Sequence, residues 1–184
     1  MNKNEIRQLI KEFKKCLNNL EKVEAASTVA KTIEDSIWFK RATHILIYHS
    51  LPDELHTHNL LNRWADKKLY LPRVNGHTLD ILPIDKIRLG AFNIYEPIGN
   101  KTVSLSTIDL AIIPGVAFDK CGSRIGRGKG FYDRLLQDNN IFKIGIGYDF
   151  QLFDNIPSAT HDIKMDAIIT PHNKIVINDK FSWQ

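Results

Sequence analysis

The chain has 184 residues, with 25 Lys and Arg against 21 Asp and Glu, a net charge of +4, and 43% apolar residues. This length and apolar content suit one domain, 1–184, that buries its own core, and two cysteines, Cys16 and Cys121, exclude a disulfide framework or a zinc pattern. The mild, dispersed positive charge favours small anionic ligands over nucleic acid, no apolar run nears the roughly 20 residues that span a bilayer, and Met1-Asn-Lys-Asn-Glu-Ile-Arg7 lacks the apolar core of a secretion signal. A cytoplasmic monomer, binding neither nucleic acid nor membrane, is expected.

Ile6, Leu9, Ile10, Phe13, Leu17 and Leu20 recur at three and four residues, which predicts an amphipathic helix from Lys3 to Glu21. A second helix is predicted over Ser27–Lys40, with Val29, Ile33, Ile37 and Trp38 facing inward. Thr43–His49 reads as a buried strand. Thr57 is the expected N-cap of a helix carrying Leu60, Leu61 and Trp64. Lys68–Leu71 is the next strand, stopped by Pro72, and Asn75-Gly76 marks a hairpin turn before Thr78–Pro83. Residues 84–107 show no period and read as irregular, lining a cleft. Strands over Asp109–Pro114, Phe142–Tyr148, Asp166–Ile169 and Lys174–Ile177 follow, with a helix over Gly130–Asp138. Strands alternating with helices imply an α/β sandwich with a largely parallel sheet. Such sheets bind ligands beyond the carboxyl ends of their strands. The segments after 43–49, 109–114 and 142–148 are therefore expected on one rim.

The richest stretch is Gly115–Asp133. Gly122, Gly126, Gly128 and Gly130 alternate with Arg124, Arg127 and Lys129 between an apolar strand and a helical pattern. Glycine lets backbone approach a ligand and adopt positive φ, a helix start offers free N–H groups, and Arg and Lys add charge and directed donors. The combination describes a polyanion site suited to a nucleoside triphosphate. It is not a P-loop, because Gly130 follows Gly128-Lys129 where a hydroxyl residue would hold magnesium. Nor is it a dinucleotide fingerprint, because Phe131 stands where the third glycine belongs. Cys121 sits in the loop, but no histidine lies near it in sequence to act as a base.

This motif resembles the 5-formyltetrahydrofolate cyclo-ligase family. The likeness spans nearly the whole chain, from Lys3-Asn-Glu-Ile-Arg7 through Ser50–Thr57 and Gly90–Pro97 to His161–Asp166. It is strongest at Pro114–Asp133. The resemblance implies a three-layer α/β/α sandwich with a largely parallel sheet, related to sugar-phosphate isomerase and CoA-transferase-like folds. It also implies ATP- and Mg2+-dependent conversion of 5-formyltetrahydrofolate to 5,10-methenyltetrahydrofolate, with or without a polyglutamate tail. By the same resemblance, Arg124, Ile125, Gly126, Arg127, Gly128, Lys129, Gly130, Phe131 and Tyr132 form the ATP loop, with Lys3 and Arg7 as further contacts. Lys129 and Arg127 serve catalysis. His49, Glu54 and residues Arg127 to Phe131 meet the folate, and Asp133 and Asp162 hold magnesium. His49 departs from the apolar residue common in the family, and Phe131 from its tyrosine. Phe92 and Tyr95 are candidates to pack on the pterin or in the core. Lys3 and Arg7 also fit a solvated helix end, and Asp133 fits compensation of a helix dipole. A family member that binds without turnover, an RNA-binding module and a sugar-phosphate isomerase are the competing readings.

Overall fold

The structure is a computed structural model, which describes residues 1–90, 94–137 and 139–178. In chain order these form α1 (Lys3–Lys15), α2 (Asn19–Glu34), α3 (Ile37–Arg41), β1 (His44–Leu46), α4 (His58–Arg63), β2 (Lys68–Asn75), β3 (Thr78–Pro83), β4 (Ile87–Leu89), β5 (Tyr95–Pro97), β6 (Leu110–Pro114), β7 (Ala117–Asp119), β8 (Arg124–Ile125), α5 (Phe131–Leu136), β9 (Phe142–Ile146), β10 (Leu152–Phe153), β11 (Ala167–Ile169) and β12 (Lys174–Val176).

Seven strands join in the order β12-β11-β9-β6-β1-β2-β3. The inner five are parallel, and β12 and β3 are antiparallel edges. From β1 the next strand, β2, lies on one side, whereas β6, β9 and β11 proceed on the other. The order therefore reverses between β1 and β6, and the segments leaving these two strands diverge to leave a crevice.

Alternation along each strand feeds two cores. Ile45, Leu110, Ile112, Phe142 and Ile144 face α2, α3 and α4, through Val29, Ile33, Trp38, Phe39 and Trp64. Leu46, Ala111, Ile113 and Ile168 face the opposite way, onto Leu136 of α5 and Phe118 of β7. Three layers result, but α5 has six residues, so much of its layer is the small β10-β7-β8 sheet and loops. Through Ile6 and Ile10, α1 packs on Ala117, Ile125 and Ile156 beside the crevice.

Several boundaries differ from the sequence reading. The predicted first helix breaks after Lys15, because Asn18 accepts from the Glu21 N–H while the Glu21 side chain accepts from the Asn18 N–H. This reciprocal cap starts α2 eight residues before Ser27. Ser36 then caps the separate helix α3, accepting from the Phe39 N–H at 3.2 Å, and Ile37 is left 53% exposed rather than inward. Thr57 stands at the start of α4 but does not cap it, since its hydroxyl donates to the Tyr48 carbonyl. Strand pairing in the 43–49 segment is confined to β1.

β2 passes through Pro72 instead of stopping there. Lys68 and Tyr70 bond towards β1, and Pro72 shares their side of the strand. The missing N–H therefore points beyond the end of β1, where no ladder bond is lost. The Asn75-Gly76 hairpin forms as expected, with Gly76 at φ 58°. The stretch read as irregular contains the β4–β5 hairpin. β4 is exposed at all three positions, so it carries no alternation to read. Buried Glu96 of β5 accepts from the Val74 N–H at 3.0 Å. Phe92 and Asp138 lie outside the described residues.

Candidate active site

After β6 the chain turns through β7, an acid-stapled corner and β8 into the glycine loop. Asp119 has no exposed surface, and its Oδ1 accepts from the N–H groups of Cys121 and Ser123 at 2.9 and 2.8 Å. Its Oδ2 accepts from the Ile156 N–H at 3.1 Å. The corner needs glycine at 122, which has φ 85° and leaves an added Cβ only 2.6 Å from the Met165 carbonyl oxygen. Gly128 and Gly130 lie at φ 99° and 65°, and Gly130 leads into α5. Because α5 has only six residues, its dipole is weak, and the positive charge at the loop is carried mainly by the Arg and Lys side chains.

The loop borders a cleft of about 620 Å³ at the sheet's reversal point. Lys3, Arg7, His49, Glu54, Asp162 and every residue from Arg124 to Asp133 line it, which brings together all the site residues expected from sequence. Tyr95 lines it too, whereas Cys121 does not.

The cations are held in distinct ways. Lys3 pairs with Asp162, which also accepts from the Ala159 N–H at 2.6 Å. Burial pushes the Asp162 carboxyl up, but the hydrogen bonds from Lys3 and Ala159 outweigh it and hold it below the usual range. Arg7 Nε donates to the Gly126 carbonyl at 2.9 Å, tying α1 to the loop. Arg124 is 4% exposed and lies under the loop, with Nη2 on Asp133 Oδ1 at 2.9 Å and Nη1 on the Pro114 carbonyl at 3.2 Å. Its Nε is buried with no acceptor among the described residues. Arg127 Nε donates to Glu54 Oε1 at 3.0 Å and Nη2 to Asp53 Oδ1 at 2.6 Å. The Ile163 N–H approaches Asp133 Oδ1 at 3.4 Å, so the segment bearing Asp162 runs beside Asp133.

On the β1 side, Glu54 Oε2 accepts from the Leu51 N–H at 3.0 Å. The His49 ring stands 3.9 Å from His58 and 4.9 Å from Tyr95 between centroids. Burial, then the His58 charge, lower the His49 pKa to about 4, so it is neutral at pH 7. Burial first and the Glu54 charge second push the Tyr132 hydroxyl well up, so it stays protonated.

Asp53, Asp119 and Arg134 were missed from sequence. Arg134 Nη2 donates to the Lys129 carbonyl and Nε to the His77 carbonyl, each at 2.8 Å, fastening the loop to the β2–β3 turn. An Asp two residues before Cys121 and four before Ser123 is a local turn signal that could have found Asp119. No local signal marks Asp53, whose partners Lys14 and Arg127 are distant in the chain, or the reach of Arg134 to the His77 carbonyl, 57 residues away.

The model of the 5-formyltetrahydrofolate cyclo-ligase family matches residues 1–171. The 5-formyltetrahydrofolate cyclo-ligase of Haemophilus influenzae is 31% identical over 178 residues, covering 90% of this chain and 95% of that one. That of Escherichia coli is 34% identical over 140 residues, covering 69% and 77%. The solution structure of Aquifex aeolicus 5,10-methenyltetrahydrofolate synthetase superposes with a TM-score of 0.89 at 30% identity, covering 100% of this chain and 97% of that one. A Mycoplasma pneumoniae 5,10-methenyltetrahydrofolate synthetase, at 24% identity and a TM-score of 0.76, shares the fold over 93% of this chain and 99% of its own. The sequence match, the fold and the long glycine–cation motif agree: the chain belongs to the 5-formyltetrahydrofolate cyclo-ligase family and is an ATP-dependent enzyme of that family.

Proposed function

We propose that Lys129 and Arg127 carry the phosphoryl-transfer step of the family's reaction, the ATP-dependent conversion of 5-formyltetrahydrofolate to 5,10-methenyltetrahydrofolate. The observation that carries this reading is the Arg127–Glu54 ion pair, which joins the glycine–cation loop after β6 to the acid-bearing segment after β1 in one cleft. A volume of about 620 Å³ lies within the usual range for small-molecule sites.

The γ-phosphoryl group of ATP passes to the formyl oxygen, and ADP leaves. N10 of the folate then attacks the formyl carbon and gives up its proton, the bond from that carbon to the phosphorylated oxygen breaks, and phosphate departs with that proton as the ring closes. Positioning and electrostatics dominate such transfers. Lys129 and Arg127 offset the charge on the moving phosphoryl group, while Lys3 and Arg7 draw the rest of the polyphosphate. Arg124 supports the loop from below, held there by the Pro114 carbonyl and Asp133. Glu54 accepts hydrogen bonds from pterin N–H groups. Protonated Tyr132 serves as a donor, not a base.

Asp133 and Asp162 are the candidate magnesium ligands. Among the described residues no three His, Cys, Asp or Glu side chains cluster as a self-sufficient metal site. Two carboxylates beside a phosphate loop fit Mg2+, which takes one or two carboxylates plus phosphate oxygens. Bound there, the ion supplies charge neutralisation to the phosphates. The same reading takes the chain as a cytosolic monomer that acts on folates with or without a polyglutamate tail. No described helix is long and apolar enough to cross a membrane.

Purified protein with ATP, Mg2+ and 5-formyltetrahydrofolate is expected to generate the near-ultraviolet absorbance of the methenyl product. No product from folded protein, or product without nucleotide, overturns the reading. Lys129→Ala is expected to lower kcat roughly 100- to 1000-fold, the loss of about 2.7–4 kcal/mol seen when one transition-state donor is removed. Its loss of thermal stability should be much the smaller effect. Near-normal turnover at saturating ATP would remove Lys129 from the mechanism.

A further inference from the structure

Arg127 has glycine on both sides, and Gly128 has φ 99°, so neighbouring side chains do not guide its long, freely rotating stem. Two carboxylates guide it instead. Glu54 lines the cleft, and Asp53 stands outside the lining, gripping Nη2 from behind. Beyond Asp53 lies Lys14, only 8% exposed, with Nζ 3.4 Å from Asp53 Oδ2.

Lys14 is the unexpected member. A buried ammonium is costly without an anion, and burial lowers its pKa while Asp53 opposes that shift. Burial pushes the Asp53 carboxyl up, but the charge of Lys14 and the hydrogen bond and charge of Arg127 outweigh it and keep it below the usual range. Asp53 is therefore an anion with two obligatory partners, one fixed in a helix and one at the cleft. The helix fixes its end firmly. At 3.6 residues per turn, Lys3, Arg7 and Lys14 fall within about 40° of one another around α1. All three meet the cleft or its support: Asp162, the Gly126 carbonyl and Asp53.

The Asp53–Arg127 end of the network adds little to the fold itself. The side chains of Asp53 and Arg127 are 47% and 45% exposed, and ion pairs of that kind contribute little to stability. What the network does is choose one direction for the guanidinium.

We propose that Lys14 and Asp53 are positioning residues for Arg127: the ammonium anchored in α1 fixes the Asp53 carboxylate, which aims the guanidinium at the border between the phosphate loop and Glu54. The proposal rests on the reading of Arg127 as a ligand-binding cation and extends it to two residues that touch no ligand.

A double-mutant cycle tests it. Asp53→Asn and Lys14→Met are each made alone and with Arg127→Ala, and kcat/KM for 5-formyltetrahydrofolate and Kd for ATP are measured. Residues that act through Arg127 should lower kcat/KM about tenfold when Arg127 is present and less than twofold when it is Ala, as expected for coupled sites. Lys14→Arg, which keeps the charge, should restore most of the lost activity. Equal losses in both backgrounds would show that the pair only supports the fold and would overturn the proposal. So would native activity in Asp53→Asn. If Lys14→Met fails to fold, half-exposed Asp53 carries the test. If the unmodified chain shows no turnover, the proposed function fails by itself, and the same cycle on the ATP Kd still decides the positioning role.

Discussion

Glu54 and Arg127 are 73 residues apart in the chain and 3.0 Å apart in space. The motifs made each residue a candidate but assigned them to different loops, and no local rule couples them. Their contact alters the effect of removing either one. Separate loops would let Glu54→Ala weaken folate binding alone. With the ion pair present, Glu54→Ala also releases Arg127 from a competing carboxylate. Folate binding should weaken roughly ten- to a hundredfold, the worth of a hydrogen bond to a charged group, while ATP binding is retained or tightened. Calorimetry with each ligand measures both. Equal weakening of both would mean the pair serves the loop, not the folate. His49 gives a second expectation. Its ring is held neutral down to about pH 4 in the folded chain, whereas an unfolded histidine takes up its proton near 6.5. The unfolded state therefore binds more protons between these values, so stability should fall as pH drops from about 6.5 towards 4. His49→Gln should flatten that part of a plot of thermal midpoint against pH. An unchanged slope would show that the exposed edge of His49 screens the effect.

Elements were legible where a period and a turn signal coincided. The parallel strands appeared as short apolar runs because both faces are buried, and the Asn75-Gly76 hairpin carried its own mark. Boundaries were lost where side chains compete with periodicity. Leu17 and Leu20 keep helical spacing across the α1–α2 break, yet Asn18 and Glu21 cap a new helix there. β4 had no readable pattern because none of its three residues is buried. The glycine motif was legible as a loop, and it lines the cleft, but its glycines divide by task. Gly128 and Gly130 shape the cleft wall, whereas Gly122 fits a corner against the Met165 backbone, and its carbonyl accepts from the Met165 N–H at 2.8 Å. Gly122→Ala meets both a left-handed φ and a backbone clash, so it should destabilise the chain by more than about 1 kcal/mol. Gly126→Ala has no φ penalty and meets the Arg124 guanidinium, so it should disturb ATP binding more than stability. Denaturant unfolding of both variants separates the tasks, and a stable Gly122→Ala would refute the corner argument.

At the scale of the molecule, the site is assembled from segments that only the topology brings together: α1, the exit of β1, the loop after β6 and the stretch before β11. Asp162 belongs to the last of these. A sequence reading could place it in the cleft only if the chain crossed the rim, and its pairing with Lys3 closes that crossing. Asp166, four residues on, has a different setting. It accepts from the Lys143 N–H at 2.8 Å, pairs with Lys143 Nζ at 3.0 Å and accepts from Asn178 Nδ2 at 3.2 Å, on the β9 side and outside the cleft lining. The two acids should therefore separate in a magnesium titration. Asp162→Asn keeps the shape and removes one charge, so activity at fixed ATP should need more magnesium, since a cation held by one or two carboxylates loses one of them. The same change breaks the Lys3 pair, and a lysine freed from its carboxylate can bind phosphate more strongly. ATP affinity without magnesium should then hold or rise while the magnesium midpoint shifts upward. That opposite movement distinguishes loss of a metal ligand from a collapsed cleft, in which both would worsen. Asp166→Asn should lower the thermal midpoint and leave the magnesium midpoint in place. A shifted magnesium midpoint for Asp166→Asn and none for Asp162→Asn would move the metal role away from the rim-crossing segment.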